Sequence, residues 1–160
     1  MNWPTTTLTR THRAEGSGAA KGASSKIALL RSVPGLAHLP ERELGRLAPL
    51  FDDIQIDAGR VLAREGQASQ ELALIVEGWA ALSRHGHPVD VLGPGQFVGE
   101  TAILDHGAHT DTVTARTPMR VLLAGRESFG ALRNHPEVLR QIATNLAGRL
   151  RLCGARSLAS

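Results

Sequence analysis

The 160-residue sequence has no tyrosine and only two tryptophans and three phenylalanines, so aromatic residues make up 3% of it. A core built from this chain must rest on Leu, Val, Ile and Ala. There is one cysteine, Cys153, which excludes an intramolecular disulfide framework and a cysteine-rich zinc site and fits a reducing compartment. Long hydrophobic runs are missing too: the most apolar stretch, Leu72 to Leu82, is short and carries Glu77, so a membrane span is not expected. The N-terminus lacks the apolar segment of a secretory signal. Its Ser, Thr and Arg content with a single acid resembles a transit peptide, but the cytoplasm is the expected compartment.

What is present fits one soluble domain. The hydrophobic share is 42% and mean hydropathy is −0.10, and the length suits a single core of ordinary size. Seventeen glycines and eight prolines imply many turns. The net charge of +3 and isoelectric point near 10.0 suggest nucleic acid until the charge is located. Arg10, Arg13, Lys21 and Lys26 against Glu15 account for all of it, and residues 27–160 hold as many acids as bases. The basic character belongs to a tail attached to a neutral domain, which weakens the case for a DNA-binding face.

Residues 1–25 are Thr, Gly, Ala and Ser with scattered basic residues and no hydrophobic period, which reads as a disordered basic arm. The folded domain is expected over 26–156, opening with a short helical patch at Lys26 to Leu30. Pro40 sits where a helix can start, with Glu41 and Glu43 in its first turn and Leu44, Leu47 and Ala48 on one face. Pro49 should distort or end that helix. From about 51 to 124 the chain breaks into short strands separated by turn signals such as Asp57-Ala58-Gly59, Glu77-Gly78, His85-Gly86-His87-Pro88 and Gly93-Pro94-Gly95. Such spacing predicts a small barrel or jelly roll. Helices follow over about 126–152: Ser128 to Asn134 is a short one, and Pro136 opens a longer one with Leu139, Ile142, Ala143, Leu146, Ala147 and Leu150 at helical spacing.

A set of short pieces in fixed order then carries a resemblance: Leu29 to Pro34, Asp57-Ala58-Gly59, Arg64-Glu65-Gly66, Val76-Glu77-Gly78, Leu92 to Phe97, Gly99-Glu100 and His135 to Val138. Together they resemble the cyclic nucleotide-binding domain family, which includes the catabolite activator protein and the regulatory subunits of cyclic-AMP-dependent kinase. The resemblance spans roughly Ile27 to Leu152. It implies a mainly β fold with flanking helices, a double-stranded β-helix (jelly roll) with N-terminal helices and a long C-terminal helix.

In that family a Gly-Glu step opens a short helix, and an Arg follows some ten residues later on the next strand. Free N–H groups at the helix start and the Arg hold the phosphate, while the carboxylate accepts the ribose 2′-OH. By resemblance Phe97 and Gly99 border the ligand, Glu100 is the ribose carboxylate, and the N–H groups of Thr101 and Ala102 face the phosphate. Thr110 stands where the family has its Arg, and Asp111 stands where a small residue is usual. Losing a charge-assisted bidentate partner removes about one to two decades of affinity, and a carboxylate near a phosphate repels it. Three readings follow: a vacant pocket in a fold kept for interaction, weak cyclic AMP or cyclic GMP binding through backbone N–H groups, Thr110 and His109, or another ligand. His109 is the first candidate for a substitute cation, against its plainer reading as an exposed loop side chain. Glu100 also has a plainer reading, because a carboxylate at a helix start is favourable by itself.

His85-Gly86-His87 with Asp90 is similar to the metal pattern of the cupins, which share the jelly roll, but Gly86 and Pro88 favour a hairpin tip. No metal, cofactor or catalytic residue is expected, and a metal-dependent cupin enzyme is the remote alternative. The resemblance places Cys153 and Gly154 at the purine-capping positions, where they offer little hydrogen bonding, and leaves no room before Ser160 for a DNA-binding domain. Sequence-specific DNA binding is therefore not expected. Arg133, Arg140, Arg149, Arg151 and Arg156 against Glu137 make the C-terminal segment basic and leave 27–132 correspondingly acidic. The leading expectation is a divergent regulatory or interaction module that pairs two copies through Val138, Ile142, Leu146 and Leu150 or docks on an effector protein. The alternative is a cyclic nucleotide sensor that signals through its C-terminal helix.

Overall fold

A computed structural model describes residues 19–68, 71–100, 104 and 107–158, with side-chain surroundings between Ser24 and Gly148. Helix α1 (Ala19–Ser32) and helix α2 (Glu41–Leu47), which runs into a 3-10 turn at Ala48–Leu50, precede the strands. The strands are β1 (Asp52–Ile56), β2 (Val61–Ala63), β3 (Glu71–Glu77), β4 (Ala80–Arg84), β5 (His87–Leu92), β6 (Phe97–Val98), β7 (Thr112–Ala115) and β8 (Met119–Gly125). Helices α3 (Phe129–Arg133) and α4 (Pro136–Leu158) close the chain. The strands form two antiparallel sheets of order β1-β8-β3-β6 and β2-β7-β4-β5. This is the expected roll with flanking helices.

The first sheet is buried on both faces, and that explains its composition. On β3, Leu72, Leu74 and Val76 pack with Leu122 and Ala124 of β8 against the helices, while Ala73 and Ile75 face the roll interior with Val121 and Leu123. A strand with two covered faces reads as a continuous apolar run, as Leu72 to Val76 does. The second sheet is covered on one face only: Ala80, Leu82, Leu92, Val113 and Ala115 point into the roll. Pro40 does precede α2, and Leu44, Leu47 and Ala48 are buried, while Pro49 lies in the 3-10 turn.

The domain's first helix differs from expectation. It begins at Ala19, not Lys26, because Ala19, Ala20, Lys21 and Ala23 are strong helix formers although they carry no apolar period. The part of the basic arm in residues 1–18 lies outside the described residues.

Turn chemistry is specific at two places. His85 (φ 51°) and Gly86 (φ 77°) join β4 to β5, and positive φ at both central residues is the two-residue hairpin turn whose twist matches the strands. Gly78, between β3 and β4, has φ +88°, and a Cβ there would run into the Pro118 carbonyl and Met119. Gly78→Ala is therefore expected to lower unfolding free energy by about 1–3 kcal/mol. Urea unfolding with an unchanged midpoint would contradict this packing.

Candidate functional site

The roll opens at one rim into a small cleft. Its apolar wall is Leu82, Leu92, Val98 and Val113, and its polar wall is Gly99, Glu100, His109, Thr110 and Asp111. Strand parity explains the arrangement, since alternate residues face the same side. On β7, Val113 and Ala115 point inward, and Asp111, two residues before Val113, shares that side and is only 8% exposed. Thr112 lies between them with its Oγ1 accepting the Glu65 N–H at 3.1 Å.

Strand β4 repeats the pattern with Ala80 and Leu82 inward, which carries Arg84 to the same side at the strand end. Ser83 pairs with Thr112 across the two strands, so Arg84 arrives beside Asp111. Its Nε donates to Asp111 Oδ1 at 2.8 Å, and Thr110 Oγ1 donates to Asp111 Oδ2 at 2.9 Å. The guanidinium is about half exposed, while the carboxylate is nearly buried.

His109 is held by its backbone. Its carbonyl accepts the Gly66 N–H at 2.8 Å, and its own N–H donates to Gln67 O at 2.9 Å, while an Ala68–Ala108 bridge extends the contact. The imidazole is half-buried against the cleft, and burial lowers its pKa below the usual histidine value, with the nearby Glu100 charge acting in the other direction. Desolvation therefore favours the neutral ring. Glu100 is 6% exposed and follows Gly99, whose φ is +87°. The Glu100 carbonyl accepts the Leu104 N–H at 3.1 Å.

The segment leading to Gly99 is tied to α4. Gln141 Nε2 donates to Gly95 O at 3.0 Å, and the Phe97 N–H donates to Asn145 Oδ1 at 3.2 Å.

The family profile described as the cyclic nucleotide-binding domain matches residues 53–135, from β1 to the turn before α4. The chain belongs to the cyclic nucleotide-binding domain family. A cAMP-dependent protein kinase regulatory subunit from Emericella nidulans is 32% identical over 107 residues, which are 66% of this chain and 26% of that protein. The chain spans about a quarter of the length of the curated relatives it matches. Among solved structures, cAMP-bound PfPKA-R superposes with a TM-score of 0.74 at 19% identity, covering 86% of this chain and 48% of that one. A variant of a cAMP-independent protein kinase A regulatory subunit from Trypanosoma brucei, bound to cAMP in its A site, has a TM-score of 0.61 at 23% identity and covers 76% and 50%.

For this cyclic nucleotide-binding domain the structure brings Gly99, Glu100, His109, Thr110 and Asp111 to one cleft. Thr101 and Ala102 lie outside the described residues. Phe97 corrects the expected set: it is 1% exposed within the helix-side core, while its neighbour Val98 faces the cleft. The alternation that turns one of two adjacent strand residues inward turns the other outward. His109 lines the cleft and is no exposed loop side chain, while burial opposes the charge a substitute cation needs.

A second correction concerns α4. Val138 and Ile142 are each 1% exposed and pack into the domain's own core, with Leu146 lying against it. Their spacing marks an apolar face, and that face is already covered by this chain. The side chains of Leu150 and Cys153 lie outside the described residues. Arg84 was missed by sequence reasoning because nothing local marks it. The signal is its parity with Leu82 and the pairing of β4 with β7. His85 sits on the hairpin turn, with Nδ1 3.0 Å from Glu65 Oε1, while His87 begins the next strand, so the two do not share a strand face as the cupin pattern requires. No helix of the described residues is long and apolar enough to cross a membrane.

Proposed function

We propose that this chain is a regulatory module of cyclic nucleotide-binding type whose pocket takes cyclic AMP and cyclic GMP weakly or not at all, and whose output is contact with another protein or a second copy. The observation that carries this reading is the Asp111 carboxylate in the cleft wall beside Thr110, at the place where the family resemblance calls for an arginine. An anionic phosphate entering there meets two buried carboxylates, Glu100 and Asp111, and a histidine held towards its neutral form. The Trypanosoma brucei relative supports the reading: it is described as cAMP-independent, and its cAMP-bound variant carries a Thr-to-Arg replacement among its three changes.

A ligand that binds only the native state stabilises it by RT ln(1 + [L]/Kd), which is about 2.7 kcal/mol at one hundred times Kd. Melting in excess cyclic AMP or cyclic GMP is therefore expected to leave the transition where it is. A shift of several degrees that disappears in Glu100→Ala would overturn the proposal in favour of a nucleotide sensor.

That sensor is the second reading, and the Gln141 and Asn145 bonds favour it. They join α4 to the strand that enters the cleft, which is the connection a pocket-to-helix signal needs. A contact with an effector or a second copy through α4 uses residues other than Val138 and Ile142.

A further inference from the structure

The open face of the second sheet carries an exposed apolar strip. Residues alternate across β4, so Trp79 and Ala81 point outward where Ala80 and Leu82 point into the roll, and Val91 and Gly93 point outward on either side of the buried Leu92. The register sets Ala81 beside Val91. One step along, the Trp79 ring lies over Gly93, where a Cβ would run into it. Trp79 is 52% exposed and Val91 41%, and they are two of the three large hydrophobic side chains exposed among the described residues. The backbone beneath the indole is held: the Trp79 N–H donates to Thr117 Oγ1 at 3.0 Å, and its carbonyl accepts the Arg116 N–H at 2.9 Å and the Thr117 N–H at 3.4 Å. An exposed tryptophan on a fixed backbone suits the anchor of an interface.

The neighbouring edge is closed to strand addition. Strand β5 is outermost in its sheet. Ala115 exchanges hydrogen bonds with Gly59 and Arg60 on the β2 side, so Ala80, its partner on β4, turns its backbone groups to Leu92, and Val91 turns its own to the open edge. There the Val91 N–H donates to Asp90 Oδ1 at 2.8 Å, and the Gly93 N–H donates to Gln96 Oε1 at 2.7 Å. Pro88 has no N–H to offer. With these donors taken, a partner meets the face of the sheet and not its edge.

We propose that this face pairs two copies of the chain, the Trp79 of each packing on Val91 and Ala81 of the other. The inference rests on the reading that the module's output is contact with a protein, and it gives the second copy a surface away from α4. Charge selects a second copy as the occupant. Exposed Arg116 follows β7 on one side of the strip, beside Trp79, and Asp90 lies on the β5 side. A two-fold axis running along the strands in the plane of contact exchanges the two sides, so each Arg116 comes opposite Asp90 of the other copy. The strip is therefore self-complementary, as an isologous contact requires.

Sedimentation equilibrium of the full chain, over a dilution series reaching about 0.1 mM, tests the inference. A reversible dimer is expected, with a dissociation constant that rises about thirtyfold or more in Trp79→Ala and also rises in Arg116→Glu. Trp3→Phe leaves Trp79 as the one tryptophan, and its emission should move to shorter wavelength as the chain is concentrated, which reads the contact without altering it. A monomer at every concentration would overturn the inference. So would a dimer indifferent to both substitutions, or a Trp79 emission that stays in place while the dimer forms. Titration with cyclic AMP keeps the two readings apart: tight binding sinks the preceding one, while a monomer with weak or no binding sinks this one alone.

Discussion

Thr110→Arg combined with Asp111→Ala is expected to raise affinity for cyclic AMP by about two decades. Thr110→Arg supplies a charge-assisted bidentate partner at the place where the resemblance calls for an arginine, and such a hydrogen bond contributes about 1.5–3 kcal/mol, which is one to two decades. The alanine removes a carboxylate from the same wall of the cleft, where Asp111 is 8% exposed, and so removes a repulsion that low polarity strengthens. Space is available for the change, because Thr110 is exposed at the rim. Equilibrium titration of the double variant against the parent checks the prediction. Equal affinities in two folded proteins would mean that neither position decides what enters the cleft.

Ile142→Ala is expected to lower unfolding free energy by about 2–5 kcal/mol. Ile142 is 1% exposed and shares a core with Leu30, Phe97 and Leu132, so truncation leaves a cavity that its neighbours fill only in part. The loss should be the same at every protein concentration, because the side chain packs within its own chain. Denaturant unfolding over a hundredfold dilution series distinguishes the two roles. A loss that shrinks on dilution would return Ile142 to an interface between two copies.

These positions show where sequence reading succeeds and where it stops. The helical spacing of Ile142 with Val138 and Leu146 correctly marks one apolar face, but periodicity is silent on what covers that face. The roll was legible because its turns demand particular residues, as at His85-Gly86 and Gly78, and because β3 reads as a continuous apolar run. Phe97 failed for a matter of parity: one residue along, Val98 is the one in the cleft. Thr110 and Asp111 stood out in the sequence only through the resemblance, and the structure places both on the cleft wall. Arg84 was not, because its meeting with Asp111 joins residues 27 positions apart through the β4–β7 register. His109 lines the cleft, but its charge depends on burial, which a sequence does not display.

Gly95 and Phe97 connect the segment leading to the cleft with α4 through Gln141 and Asn145.

Isothermal titration of the unmodified chain with cyclic AMP tests the central claim most directly. The account predicts heats that match dilution at micromolar concentrations, with weak or no binding beyond. Saturable binding of one cyclic AMP per chain with a micromolar or lower dissociation constant would contradict it.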